Sequence, residues 1–552
     1  DDVVTHTSQA FLGVTMGCSK CHDHMYDPFP QTDYFSMRAI FESYQVRTDR
    51  VPGELDIMKA GLPRAYDASI EAKTYLFEAG DERYPVKDKP IPPAIPAALG
   101  GEFQIESVKL PVKAYRPWRR EFVRNELLAV ESKLMADAKE ELKKLAPDCD
   151  PKMRETVELK LESEKLKHAA LLAEFESEAL EDAGKKASDE WKAAAEKTFD
   201  AQRKAALANA KWKLVSGEVS RAKAEKSMAD AKAKKDKAKT TAATRAMNKA
   251  KADIAAAKKL MAAAEKQMKA KVTTEFKPRQ GNYPNRSSGR RTAFATWLID
   301  SKNPLTARVA MNHIWMRHFE NGIVPTPNEF GGNGREPTHP ALLDWLAAEF
   351  MESGWSMKAM HKKIVLSATF RQCGTPDETN LAVDPDNHFL WRMPSRRMEG
   401  EIVRDNLLWV SGRLDETFGG PDIPNTEAQK SVRRSIYLRH AHEKLVPFVQ
   451  IFDGPKVTEC YVRHESVQPH QALAMHNSPL TKLAAEKLAD ELTGSEGFLE
   501  DAFLKILGRM PNAEEREACG EFLKANAEGD GKRIRERLIT VLLNHNDFVT
   551  VR

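Results

Sequence analysis

Cys18 and Cys21 stand three positions apart and are followed at once by His22, in the run Cys18–Ser19–Lys20–Cys21–His22. Two thiols at that spacing lie on one side of a helical turn, where both can reach the two vinyl groups of a single haem and form thioethers. The adjacent imidazole then serves as the proximal ligand of the iron. Covalent haem c held by Cys18, Cys21 and His22 is therefore the first expectation. Two other chemistries use the same atoms. A structural or mononuclear metal site would take Cys18 and Cys21 with His22 or His24, and a redox-active or structural dithiol would need the cysteines alone. His24 is too near His22 to reach the opposite face of the same haem, so a sixth ligand has to come from farther along the chain. Met58 and Met37 are the candidates, against an ordinary packing role for each.

A second polar group lies far downstream. Arg308 and Asn312 are four apart on one helical pattern and share a face; with His318 and His339 they make a weak candidate for a catalytic or anion-binding pocket, or a hydrogen-bonded cluster that fixes the fold. Arg396, Arg397 and Arg404 could clamp a carboxylate or sulfate, although Glu399, Glu401 and Asp405 would also pair with them. His440, His442, His464, His470, His476 and Cys460 gather within a short span but match no metal-ligand template. A phosphate-binding glycine loop, a nucleophile elbow and a zincin helix are missing from the sequence.

These residues must be carried by elements, and the chain changes character four times. Its 552 residues suggest about three or four units. Residues 1–48 read as a short helix over 3–17 stopped by Gly17, the cysteine motif, and a second helix from Thr32 to Tyr44. Residues 49–118 are rich in proline, with short alternating pieces such as Thr74–Phe77 and Glu106–Leu110, and predict an extended segment with minor strands. Residues 119–276 are rich in Ala, Lys and Glu. There Met247, Ala250, Ile254, Ala257, Met261, Ala264 and Met268 alternate spacings of three and four, and Leu127, Val130, Leu134, Ala138, Leu142 and Leu145 form a comparable stripe. That predicts an antiparallel helical hairpin or coiled coil, projecting about 60 Å for a ~40-residue arm. Residues 277–552 predict a mostly helical domain, with patterns over 291–300, 305–319, 339–352, 356–370, 396–413, 467–492, 498–508, 513–527 and 531–544, and a strand at Ser435–Leu438. The fold class is mainly α.

Composition narrows the function. Lys and Arg number 85 against 81 Asp and Glu, a net charge of +4, which argues against a dedicated nucleic-acid binder. Six cysteines, two in the tight motif and four scattered, are not a disulfide scaffold. No apolar run approaches the ~18–20 residues of a membrane span. The chain opens on Asp1–Asp2–Val3–Val4 without Met, as expected of a fragment, with no signal peptide before it.

Ala10–Phe11–Leu12–Gly13–Val14–Thr15–Met16–Gly17 leading into the cysteine motif, then Asp23–His24, Asp27–Pro28 and Asp33–Tyr34, resemble the end of a cytochrome-like (PSCyt-type) domain expanded in planctomycetes. Residues 278–552 resemble its usual C-terminal partner, a PSD-type domain of unknown function. The motifs include Asn303–Pro304–Leu305–Thr306–Ala307–Arg308, Pro325–Thr326–Pro327, Pro337–Thr338–His339–Pro340, Arg396–Arg397, Arg433–Arg434–Ser435–Ile436–Tyr437–Leu438 and Asn477–Ser478–Pro479. His313, His470 and His476 depart from that pattern. The resemblance implies an exported, periplasmic-type, cytochrome-like protein, with no reaction to carry over. The expected function is a haem-binding redox or electron-transfer protein, whose redox or envelope partner meets the helical arm or the C-terminal domain. Two alternatives stand beside it: an envelope scaffold in which the cysteine motif is structural, and an enzyme acting on extracellular polysaccharide through the Arg308 and His339 region.

Overall fold

The computed structural model describes residues 1–278, 283–441, 444–457, 463, 466–493, 497–526 and 529–551. They are mainly helical, as the periodicity predicts, and their strands pair as small two-stranded antiparallel sheets. Among the described residues no helix is long and apolar enough to cross a membrane.

The chain divides into two compact units that do not follow the boundaries drawn from composition. One holds Asp1–Ser43, Glu71–Glu106 and Ser288–Arg552; the other holds Tyr44–Ile70 and Ser107–Ser287. Strand pairing explains the partition. Tyr44–Arg50 forms a hairpin with Gly61–Asp67, and Val108–Lys109 pairs with Arg286–Ser287, all in the second unit. Thr74–Phe77 pairs with Pro85–Ile91 in the first, and this places the Phe77 ring edge-on to Phe35 with centroids 5.3 Å apart. The proline-rich stretch is thus shared out rather than standing alone.

In the first unit, residues 1–48 do not form a domain of their own. Val4, Leu12, Met16, Phe35, Met37 and Ile40 share one core with Phe294, Trp297 and Leu298. So short a segment cannot bury enough apolar surface by itself, and the helix Arg290–Leu298 supplies what is missing. A second core joins the helices Thr306–Phe319, Pro340–Glu352 and Met357–Val365 around Met311, Phe319, Phe350 and Met360. A third gathers Leu407, Phe452, Leu488, Phe503, Leu542 and Phe548.

Most of the expected helices are present, with three corrections. Arg396–Arg397 is a strand paired to Thr550–Val551, and the helix begins only at Gly400. The pattern over 467–492 is two helices, Pro469–Asn477 and Pro479–Glu491. Pro479 cannot continue a helix but starts one well, and the Ser478 hydroxyl caps it by accepting the Leu480 N–H at 3.1 Å. Ser435–Tyr437 is a 3-10 turn rather than a strand.

The helix Ala513–Ala525 opens on a reciprocal cap between Asn512 and Glu515. Arg509 donates to both Glu515 oxygens, at 2.6 and 2.7 Å. Those bonds, against some burial and aided by the Asn512 N–H, hold the Glu515 carboxyl down to about 2. Because the folded value lies below the unfolded one of about 4.3, the contribution is complete above that value and fades as the pH falls toward 2. Glu515→Gln is therefore expected to cost roughly 1 kcal/mol near neutrality and progressively less in acid. Chemical unfolding of both proteins across that range checks it, and a difference that grows on acidification contradicts it.

The second unit contains four long helices, Glu121–Lys144, Pro151–Asp182, Asp189–Ala233 and Lys237–Lys269, each packed mainly on the next. Asp150, Ser188 and Asp236 cap the last three through their side chains. The predicted seam is real: Met247, Ala250, Ile254, Ala257 and Ala264 are buried. Its partner is corrected, however. It packs on the helix Asp189–Ala233 rather than on the Leu127–Leu145 stripe, which instead meets Pro151–Asp182. Gly217 lets the helices close, since a Cβ there would sit 2.9 Å from Ile254 Cγ1. At ~1.5 Å per residue, the 45-residue helix spans about 67 Å.

Candidate functional site

The chain enters the cysteine motif through a helix, Asp2–Thr7, that widens into a π turn over Ser8–Leu12 and ends at Gly13 in the left-handed conformation. The stop is thus Gly13 rather than Gly17. The Gly13 carbonyl accepts the Phe330 N–H at 2.6 Å. Val14 then runs through the core and delivers a 3-10 turn, Met16–Lys20. Cys21 caps that turn, its N–H donating to the Cys18 carbonyl at 3.4 Å, and residues joined by such a three-residue hydrogen bond nearly eclipse one another, which puts Cys18 and Cys21 on one edge. Met16 and Ser19 anchor the turn from behind, the Ser19 hydroxyl donating to the Phe29 carbonyl at 3.2 Å. Gln31 Nε2 donates to the Lys20 carbonyl at 2.8 Å. Cys18, Cys21 and His22 are left facing solvent, and both thiols are free.

His22 Nδ1 lies 2.7 Å from the Asp23 carbonyl. A carbonyl only accepts, so Nδ1 carries the proton and Nε2 keeps its lone pair, the tautomer a metal-ligating imidazole needs. Gly80 closes one flank of the site: a Cβ there would lie 2.8 Å from Cys21 Sγ. Met25 and Tyr26, three and four residues past His22, are exposed large side chains. Two free thiols and an imidazole in the ligating tautomer are residue types that fit a covalently attached haem.

His24 does a different job. Its Nδ1 accepts the Asp27 N–H at 2.9 Å, so Nε2 holds the proton and donates to Thr15 Oγ1 at 3.3 Å. Thr15 Oγ1 donates to Glu329 Oε2 at 2.5 Å, and Glu329 Oε1 accepts the Gly331 N–H at 3.1 Å. Asp27 Oδ1 accepts the Gly332 N–H at 2.7 Å. With both ring nitrogens engaged in a buried network, His24 is not available to a metal at the thiols. It bolts the segment after the motif to residues 329–332, a connection between positions ~300 residues apart in sequence that no local pattern announces.

The candidate axial methionines are dispersed. Met37 is wholly inside the first unit's core, and Met58 is exposed on the turn Ile57–Ala60 of the second unit. The second polar group is dispersed too. Arg308 pairs with Asp344 at 2.7 Å. Asn312 is fully buried and bonds both the N–H and the carbonyl of Val324. His339 stands at the start of its helix, hydrogen-bonded to Thr338. His318 Nε2 lies 2.7 Å from Nδ1 of His361, a partner the sequence did not suggest because it comes from another helix. Burial, His361 and Arg396 together lower the His318 pKa.

Arg396 and Arg397 sit in the short strand, with Arg397 donating to Gln471 at 3.1 Å. Arg404 does not join them as a clamp. Its guanidinium donates to the carbonyls of Ala428, Ser431 and Arg433, to the Ser435 hydroxyl and to Asp405, which fixes the 428–435 loop. His440 is exposed, His470 and His476 lie on the helix Pro469–Asn477, and His442, Cys460 and His464 lie outside the described residues. Among the described residues no group of three His, Cys, Asp or Glu side chains could hold a metal ion.

Residues 290–523 match the family model PSD1, Protein of unknown function (DUF1553), and residues 1–46 match PSCyt2, Protein of unknown function (DUF1549). No curated protein and no solved structure matches the chain.

Proposed function

We propose, for a chain that carries the planctomycete-type pair of a PSCyt2 segment and a PSD1 domain, that it is an exported protein which binds one haem covalently and serves in electron transfer. The observation that carries this reading is the presentation of Cys18 and Cys21 on one exposed edge beside a His22 whose Nε2 lone pair is free. Cys18 and Cys21 would hold the group by thioethers, each S–H adding across a vinyl double bond, and His22 would ligate the iron through Nε2. When bound, such a group supplies a one-electron couple. The protein's own contribution is positional: Met16 and Ser19 fix the turn from inside, the Asp23 carbonyl sets the His22 tautomer, and His24 locks the following residues away from the ligand position. Exposure of the motif suits approach by a redox partner. The polysaccharide reading gains nothing from the structure, because Arg308, Asn312, His318 and His339 make separate contacts.

The test is to produce the chain in an export-competent host with cytochrome-maturation machinery. The expected result is a pyridine haemochrome band that persists after denaturation, at about one haem per chain, and that falls sharply in Cys21→Ala. A folded, haem-free wild-type protein from that host overturns the proposal and leaves the scaffold reading.

A further inference from the structure

We propose that the far end of the hairpin formed by the helices Asp189–Ala233 and Lys237–Lys269 docks on an anionic lipid surface. Residues 221–251 hold eleven Lys and Arg against three Asp and Glu, a net charge of +8, while the whole chain carries +4. The preceding helical residues 121–220 hold 18 basic against 22 acidic side chains. The positive charge is therefore gathered at one end and is not a general property of these helices. Ion pairing divides the same way. Lys160, Lys185, Lys192 and Lys197 each meet a carboxylate at 2.6–3.0 Å. At the end of the hairpin Glu225 takes Arg221 and Asp236 takes Lys239. Lys223, Lys226, Lys232, Lys234, Lys235 and Lys237 are exposed and pair with no carboxylate among the described residues. Arg245 and Lys249 stand four apart on one helix, where like charges repel. A face that served only to be solvated would mix the signs, as the rest of this unit does.

The fold holds this charge out in water. Lys152, near the start of the helix Pro151–Asp182, reaches Glu218 at 3.9 Å. From that level the helix Asp189–Ala233 runs on for about 22 Å, closed against the helix Lys237–Lys269 through the buried Ala224, Ala231, Ala243 and Met247. Lys223, Lys234 and Lys239, with the hydroxyls of Ser220 and Ser227 and one carboxylate, Asp230, line a groove of about 630 Å³ along this stretch. The kind of anion follows from what surrounds the charge. No Phe, Trp or Tyr stands between Trp212 and Phe276, so bases find no stacking platform. No large apolar side chain is exposed in 221–251, so a protein partner finds no anchor. Nine of the eleven cations are Lys, compact point charges without the bidentate fork of Arg. At about 100° per residue they go round both helices and do not line up in one track for a linear polyanion. Diffuse attraction without insertion is how polybasic segments hold to anionic bilayers.

The test is co-sedimentation of the full chain with vesicles of phosphatidylglycerol and phosphatidylcholine in equal parts, beside vesicles of phosphatidylcholine alone. The mixed vesicles are expected to bind at least about tenfold more tightly at ~0.1 M salt and to lose most of that advantage near ~0.5 M. Lys232→Gln, Lys234→Gln, Lys235→Gln and Lys237→Gln together should weaken binding at least about 100-fold, from about fivefold per lysine beside an anionic surface. The same change of net charge made at Lys160, Lys185, Lys192 and Lys197 should shift it by less than about threefold. If the first variant loses helix, Lys249→Gln with Lys251→Gln leaves the turn intact and should still weaken binding about tenfold. Haem attachment is read separately, since the patch needs none. Absence of binding to the mixed vesicles, equal binding to neutral ones, or equal loss in the two fourfold variants overturns the proposal. Duplex DNA bound with the same lysine dependence while the vesicles are not would assign the patch to a linear polyanion and overturn it as well.

Discussion

Glu178→Ala is expected to destabilise the long-helix unit by about 3–5 kcal/mol, the range for removing one partner of a buried ion pair. Glu178 lies near the end of the helix Pro151–Asp182 with its side chain 1% exposed. It receives the Trp118 indole N–H at 3.1 Å and Arg124 Nη2 at 3.0 Å, and it lies 3.2 Å from Arg119 Nε. Arg119 is itself buried and also reaches Glu181 and Asp182, each at 2.5 Å, and Arg116 pairs with Glu181 at 2.7 Å. Arg116, Arg119 and Arg124 thus balance Glu178, Glu181 and Asp182. Removing Glu178 leaves one uncompensated positive charge and an unmet indole donor in a place water does not reach. Glu178→Gln keeps the shape and one acceptor and should cost less. Denaturant unfolding followed by far-ultraviolet circular dichroism, dominated by these helices, measures both variants. A cost below about 1 kcal/mol for Glu178→Ala, as surface pairs give, would show that the cluster is hydrated and the argument wrong.

Gly13→Val is expected to cost about 2–5 kcal/mol and to loosen the cysteine motif from its support. Two effects add. The backbone at Gly13 has φ +60°, which costs an L-residue roughly 1–2 kcal/mol and a β-branched one no less. A Cβ would also come within 2.7 Å of Phe330 Cδ2 and 3.0 Å of Val309 Cγ2, an overpacking of about 1–3 kcal/mol. The Gly13 carbonyl receives the Phe330 N–H, so backbone displacement breaks the tie on which Cys18 and Cys21 depend. Gly17→Ala is the control. Its Cβ would meet nothing closer than 3.5 Å, and its φ is unexceptional. Thermal unfolding and proteolytic nicking after residue 13 should separate the two variants, and a Gly17→Ala protein as damaged as Gly13→Val would refute the assignment of the stop.

That pair of glycines shows where reading the sequence succeeds and where it fails. Both precede the motif and both end a plausible helix. Local pattern favours the one next to the cysteines, yet the choice is made by Phe330 and Val309, which arrive from the far side of the chain. The same holds for Leu127–Leu145 and Met247–Met268. Each stripe announces a buried helix face, because a spacing of three and four residues maps onto one side of an α-helix whatever lies opposite. Which face meets which depends on the two intervening helices and on Gly217, and periodicity is silent about partners.

What the sequence determined by itself is local and short-ranged: the helical class, most helix positions in the C-terminal half, the Cys18–Cys21–His22 spacing and the family resemblance that two family models match. Those follow from backbone geometry and side-chain periodicity over a few residues. Tertiary structure alone decided that residues 1–43 share a core with Phe294 and Trp297, that His24 turns inward to Thr15 and Glu329 while His22 stays outside, that Arg308, Asn312, His318 and His339 go separate ways, and that Arg404 is satisfied by the 428–435 loop. The reason is the same in each case. A polar group's role is set by whichever donors, acceptors and apolar walls surround it after folding, and those neighbours come from positions tens to hundreds of residues away.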